Sequence, residues 1–391
     1  MMSSFVLIKR FSPILILLAL SCIEPYDPIV GQDASNMLVV DGFINASDQT
    51  ATVRLSHSQP VSDSGSASPE TKATVTIDTS TGVSYLLSEK ETGEYKLDGI
   101  AVDKNAYYTL HVKTLSGSEY ISDTIRIRTT PLIDSLGFTI SPNRSLLSVH
   151  VNTHDPKRLT RYYSWDFEET YEYNAPDSSE YKFIKKQAIP RTLEESVFTC
   201  WRTERPTTIS IGTSVKLTED VIYRHSLALI PKGSPKLSVR YSVLVKQRAV
   251  SELEYTFLDH LRKTTETLGG IFGTTPEAVL GNIHSVSDNN EPVLGYFSGA
   301  EISTKRFFIE YMDMPDYFRT LRSNAGCSYE LTCPIFPDPV VPAKLFCLTL
   351  EDLSDDDIII RIVDENFYIF TSAECGDCRF HGGTTTRPDF W

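Results

Sequence analysis

The chain has 391 residues, with 37 basic and 51 acidic side chains, a formal net charge of −14 and seven cysteines. An acidic surface repels phosphate backbones, which excludes nucleic acid as the main partner. The length exceeds what a single core comfortably fills, so two domains are expected.

Residues 1–21 read as a lipoprotein signal peptide. Lys9 and Arg10 make a basic start, and residues 11–20 form an apolar run broken only by Ser12 and Pro13. A run of about ten residues is half of the roughly 20 that a spanning helix needs, and it fits the apolar centre of a cleaved signal. Ser21 followed by Cys22 resembles a bacterial lipoprotein processing site, where the cysteine becomes lipid-modified after cleavage. Ala19-Leu20 inverts the commonest order of residues there, and an ordinary secretory signal is the competing reading. Removing residues 1–21, which carry two basic side chains and no acid, leaves 35 against 51, a balance of −16. No later apolar run reaches spanning length. The expected attachment is therefore through acyl chains (palmitate-type) on Cys22, with the folded mass in water. Residues 22–35, rich in Pro, Asp and Gly, read as a tether.

From residue 36 the pattern changes to short strands bounded by turn residues at roughly 8–12-residue spacing, which predicts an immunoglobulin-like β-sandwich over 36–130. In ATVRLSH, Ala51, Val53 and Leu55 alternate with Thr52, Arg54 and Ser56, giving one buried and one wet face. The order GEYKLDG, then AYYTLHVKTLSGSEYISD, resembles the transthyretin-like or carboxypeptidase-regulatory type of module. Thr130-Pro131 marks the expected boundary, because proline interrupts a ladder.

Residues 131–391 are expected to form a larger β-sandwich domain with one prominent inserted helix. In RYYSWDFEETYEYN, Tyr163, Trp165, Phe167, Tyr171 and Tyr173 share one face of a strand, and Asp166, Glu168, Thr170 and Glu172 share the other. Those rings read first as core, since aromatics dominate burial and favour strands. A ligand or partner platform at Trp165, Phe167 and Tyr171 is the functional alternative. SELEYTFLDHLRKTTETLGG predicts a helix near 251–268, with a capping box from Ser251 and Glu254 and an apolar stripe of Leu253, Phe257, Leu261 and Leu268 packing across the sandwich. The Gly- and Pro-rich stretch that follows is long for a plain connection. It supplies Phe272, Asn282 and His284 as further candidates for a ligand or partner face.

A lipidated Cys22 leaves Cys200, Cys327, Cys333, Cys347, Cys375 and Cys378. Outside the cytosol an even set is expected to form three disulfides, whose connectivity is not readable from spacing. Five of the six lie in the last 65 residues, so the C-terminal third is expected to be cross-linked to itself. The terminal CGDC pair is expected to join distant partners rather than act as a redox pair or a zinc half-site, since no thioredoxin-like alternation and no second ligand pair accompany it. Gly382-Gly383 should turn the chain there and let Phe390 and Trp391 plug an edge.

Catalytic signatures such as HExxH, GxSxG and phosphate-binding glycine loops are missing. The eight histidines are scattered, and Asp355, Asp356 and Asp357 lack the spacing of a calcium loop. A non-enzyme without cofactor or metal is expected.

The stretches YYSWDFEETYEY, RYSVLVKQRAVSELEYTFLDHLRKTTETLGGIF, GNIHSVSDNNEPVLGYFSGAEISTKRFFI and CGDCRFHGGTTTRPDFW together resemble one family. It is the large Bacteroidota set of outer-membrane lipoproteins defined by a domain of unknown function, whose genes commonly lie beside those of TonB-dependent receptors. The resemblance runs from MLVVDGFI to the terminal PDFW. It implies an outer-membrane location, on the periplasmic or the cell-surface side, and a TonB-dependent β-barrel as partner. It brings no catalytic residues. The expected role is a binding or accessory subunit of such a transporter, with a structural or adhesive envelope protein as first alternative and a hydrolase with an unfamiliar site as second.

Overall fold

The computed structural model describes residues 36–59, 67–184, 187–267, 280–319, 326–331, 357–364 and 367–391. The signal peptide, the tether, Cys22, Phe272, Cys333 and Cys347 lie outside the described residues.

The chain is mainly β. In the first body, strands Leu38–Asn45, Thr50–His57, Thr74–Thr79, Ser84–Glu91, Glu94–Asp98, Tyr107–Lys113 and Glu119–Ser122 join in one continuous ladder. Ser84–Glu91 pairs with Thr74–Thr79 on one side and Glu94–Asp98 on the other, so the ladder folds over on itself. Ala51, Val53 and Leu55 point inward as their alternation requires, and join Val40, Ile44, Val75, Ile77, Tyr108 and Leu110.

Residues beyond 130 complete this body. Ile283–Ser285 pairs with Glu119–Ser122 at one end of the ladder, and Leu294–Ala300 lies parallel to Leu38–Asn45 at the other. A bridge between Leu280 and Leu294 brings the two ends together, so the sheet approaches a closed barrel. The contiguous module expected over 36–130 thus takes its closing strands from 283–300. Gly295 makes the crossing possible: its φ is +109°, and a Cβ there would collide with the Val40 backbone.

The second body packs two sheets face to face. Ile133–Ile140, Leu146–His154 and Val221–Pro231 form one. Thr199–Glu204, Tyr162–Asn174, Arg240–Ala249 and Ser303–Glu310 form the other, with Ser210–Thr213 paired to the start of Tyr162–Asn174. Tyr163, Trp165, Phe167, Tyr171 and Tyr173 fill the space between them with Leu147, Val149, Val151, Tyr241, Val243 and Val245. The core reading of these rings holds.

Only Glu301 and Ile302 separate the last strand of the first body from the last long strand of the second. Side chains stiffen this joint. Thr130 Oγ1 donates to the Glu301 carbonyl at 2.5 Å and accepts from Ala249 N at 2.9 Å. Ser47 Oγ accepts from Ile302 N at 2.8 Å.

The helix spans Glu252–Thr267, close to expectation; Phe257 and Leu261 of the expected stripe are half-buried, with Phe257 packed on Tyr296 at 5.3 Å between ring centroids, but the stripe fails at its first residue. Ser251 Oγ accepts from Glu254 N at 2.9 Å, which is one half of the anticipated capping box. The Glu254 carboxylate does not return to Ser251. It is buried against Arg248 and accepts from Ser298 Oγ at 2.9 Å, while Leu253 of the expected stripe is 71% exposed. Pairing a buried guanidinium outweighs the burial of one leucine.

Candidate functional site

The strand Tyr162–Asn174 begins beside the joint, where Val250 N donates to the Tyr162 carbonyl, and it ends at the far side of the second body. A cavity of about 920 Å3 opens at that far end, within the size range of small-molecule sites. Tyr171 and Tyr173 supply its floor, with ring centroids 5.7 Å apart. The turn around Gly233–Val239 forms one wall, Met314 and Phe318 a second, and Phe380–Gly382 a third.

The turn is locally specified. Gly233 takes φ +86°, Ser234 Oγ accepts from Lys236 N, and Pro235 occupies the first helical position of a short 3-10 turn. It delivers Lys236 beneath the floor. The Lys236 ammonium lies 2.8 Å from a Glu169 oxygen and 2.8 Å from a Glu204 oxygen. Tyr241 donates to the other Glu169 oxygen at 2.9 Å, and Tyr171 donates to the other Glu204 oxygen at 3.0 Å, where Arg202 Nε also lies at 3.0 Å. Burial pulls the Lys236 pKa down, but the two carboxylates more than offset it and the value is raised. Glu204 behaves in mirror image. Burial pushes it up, and the hydrogen bonds from Lys236 and Tyr171 bring it below the ordinary range. With every acid paired, the floor is a rigid, neutral network, and Arg202 is the one charged side chain among the lining residues.

The third wall is a strap held by covalent and polar ties. Cys378 is disulfide-bonded to Cys200, and Cys375 to Cys327. Both cysteines of the CGDC pair therefore join distant partners, as expected. Tyr173 donates to the Cys378 carbonyl at 2.8 Å, Thr384 and Trp201 exchange both backbone bonds, and Arg202 Nη1 donates to the His381 carbonyl at 2.8 Å. Gly382 turns the chain with φ +79°. The tail then crosses the outer face of the sheet. Trp391 Nε1 donates to Glu172 at 2.7 Å, and the Arg306 guanidinium lies 3.4 Å from the Phe390 ring centre.

The residues singled out as a ligand face do not come together. Trp165 is sealed in the core, its indole donating to Gln247 at 2.8 Å, so it presents nothing to solvent. Phe167 is buried and only edges a second cavity of about 400 Å3. Tyr171 does line the large cavity. Asn282 belongs to the first body, where its buried amide clamps the backbone of Phe297 at 2.8 and 2.9 Å. His284 is exposed beside Asp123 at 3.0 Å. One missed residue had a signal: Glu169 falls in phase with Trp165, Phe167 and Tyr171, so an acid stood on the aromatic face.

In the second cavity His225 stacks on Trp165 with centroids 4.3 Å apart, and its Nε2 lies 3.0 Å from Ser210 Oγ. Burial draws this imidazole down to about 4, which makes it a weak base for taking a serine proton at neutral pH. No group of three or more potential metal-ligating side chains occurs among the described residues. No helix among them is long and apolar enough to cross a membrane.

A family profile described as a domain of unknown function (DUF4249) matches residues 23–306. That is most of the chain, and the protein belongs to this family. The matched span covers the first body, the joint and most of the second body, while Met314, Phe318 and the disulfide-held strap lie beyond it. No curated protein matches the chain.

Proposed function

We propose that this family member is a lipid-anchored cell-envelope protein serving as a non-catalytic binding or accessory subunit of a TonB-dependent outer-membrane transporter. The observation that carries this reading is the opposed placement of the chain's point of arrival and the cavity. The backbone enters the first body at Asn36 and Met37, whose N–H groups donate to Ser58. That is the end of the Leu38–Asn45 strand away from the joint, because Ala46 at its other end donates to the Ala300 carbonyl.

At the usual strand rise, Leu38–Asn45 covers about 26 Å up to the joint, and Tyr162–Asn174 covers about 43 Å from the joint to the cavity. Acyl chains on Cys22 would sit before the first of these strands, and the cavity and strap lie after the second. Two β bodies with a stiff joint would thus separate attachment from recognition. The family match begins at Ile23, directly after Cys22, as a chain processed at that cysteine would. The Ser210–His225 pair adds no argument for hydrolysis, since its base is too weak.

Affinity isolation of the tagged chain from detergent-solubilised membranes tests the reading. It should recover a β-barrel receptor in near-equal amount, and repeated recovery without one rejects the transporter role.

A further inference from the structure

Two neighbouring turns at the joint end of the second body have a composition unlike the rest of the surface. The first, Asp155 to Arg161, carries Lys157, Arg158, Leu159 and Arg161. The second, Thr213 to Asp220, carries Val215, Lys216 and Leu217. Leu159 is 77% exposed, Leu217 53% and Val215 51%, so three aliphatic side chains stand in water within two short turns. Around them are four cations against one exposed acid, Glu219, which lies 3.6 Å from Arg158. Lys157 and Lys216 have no carboxylate partner among the described residues.

Buried aspartates build both turns. Asp155 accepts from the N–H groups of Lys157, Leu159 and Thr160, each at 2.9 Å. Asp220 accepts from Ser214 Oγ at 2.5 Å and from Tyr163 at 3.1 Å. The turns are stitched together by Asp155 N on the Asp220 carbonyl, Ser214 N on the Arg161 carbonyl, and Arg161 Nη1 on the carbonyls of Ser214 and Leu217. Arg158 is held at φ +56°, a conformation that costs a non-glycine residue energy. The fold thus spends two buried acids and one strained residue to project leucines outward on a rigid base.

We infer that these paired turns, with Leu159, Val215 and Leu217 flanked by Lys157, Arg158, Arg161 and Lys216, are a second membrane contact that seats in an anionic bilayer interface. The inference rests on the lipid-anchor reading, which places the chain beside a bilayer. A processed chain of net charge −16 (35 basic against 51 acidic side chains) is repelled by anionic headgroups, so it must approach through a face where cations are outermost. Protruding aliphatic tips ringed by long cationic side chains suit an interface, where the leucines reach the acyl boundary and the cations stay at phosphate level. A folded protein partner would more often meet a flatter surface with a central aromatic anchor, and these turns hold no aromatic residue.

The test uses the full lipid-modified chain in vesicles of phosphatidylcholine and phosphatidylglycerol, the latter with a photoactivatable diazirine in its acyl chain. Peptide mapping should find cross-links on the segments holding Leu159 and Leu217 but not on that holding Leu86, which is 61% exposed on the first body. Each cation near an anionic surface is worth on the order of a fivefold change in partition, so Lys157→Glu with Lys216→Glu should cut the tip cross-links about 25-fold or more. Thermal unfolding of the variant confirms that the fold is intact. A chain that partitions into vesicles yet shows no tip cross-links overturns the inference and leaves the anchor standing. A chain that stays in solution fails both. Protection of the tips only in native membranes, never in protein-free vesicles, assigns them to a protein contact and equally overturns it.

Discussion

The hydroxyl of Tyr173 donates to the carbonyl of Cys378 at 2.8 Å, across 205 positions of sequence. The same cysteine is bonded to Cys200, which faces Tyr173 in the neighbouring strand. One corner of the second body thus ties the long aromatic strand, an edge strand and the C-terminal strap together, and it forms a wall of the cavity.

That corner predicts how the strap responds to reduction. Cys200→Ser with Cys378→Ser should cost roughly 2–4 kcal/mol, and Tyr173→Phe about 1 kcal/mol through the lost hydrogen bond. Urea unfolding at pH 7 measures both. Limited proteolysis should cut the doubly substituted chain first within residues 379–391.

Lys236 predicts a pH-dependent penalty. Lys236→Met strands Glu169 and Glu204 without their shared cation, at about 3 kcal/mol near neutral pH. Without the cation Glu204 loses the hydrogen bond that contributes most to offsetting its burial, so its protonation costs less and the variant's penalty shrinks as pH falls from 8 towards 5. The parent shows the opposite sign: Glu204 is depressed in the folded state, and its contribution fades only as pH drops below the usual carboxylate range. Denaturant midpoints across pH 5–8 separate the two. A penalty that does not change with pH contradicts the assignment.

At the joint, Arg248 and Glu254 should matter and Leu253 should not. Glu254→Ala leaves a buried guanidinium unpaired and is expected to cost about 3 kcal/mol, while Leu253→Ser stays within about 0.5 kcal/mol because the leucine is already in water. Scanning calorimetry of the two variants checks the helix orientation. A larger loss for Leu253→Ser would mean that the apolar stripe, not the ion pair, seats the helix.

Asp155 predicts a local acid transition. Burial pushes its pKa up, but the three backbone N–H donors outweigh burial and hold it below the ordinary value. Its stabilisation is present above the unfolded carboxylate pKa and is lost as pH falls through the lower folded one. Amide protection factors at Lys157, Leu159 and Thr160, taken against the intrinsic rate at each pH, should therefore fall below about pH 4, and Asp155→Ala should show the same low protection at pH 7.

Much of the fold was legible because it rests on local pattern. The alternation in ATVRLSH and in the aromatic strand identifies inward faces, and Ser251 marks the helix start. What escaped the sequence is long-range. Nothing local says that residues 283–300 return to close the first ladder, since parallel pairing beside Leu38–Asn45 depends on a partner 255 positions away, as in Val39 with Leu294 (294 − 39). At the helix start Leu253 departs from the expected stripe, because the buried Arg248 guanidinium draws Glu254 inward in its place. The cavity is hidden because it is long-range: its walls come from segments near 171, 233, 314 and 380, and of the candidate ligand-face residues only Tyr171 lines it. Glu169 and the Gly-Ser-Pro-Lys turn were visible, but their joint meaning needed the sandwich to bring them together.

The transporter role proposed for this chain depends most on acyl chains at Cys22. Intact and peptide-level mass spectrometry of the protein purified from its native membranes tests it directly. The expected result is a mature chain that starts at Cys22 and carries covalently bound fatty acyl groups. A mature chain with an unmodified Cys22 thiol, or one cleaved at another position, contradicts it.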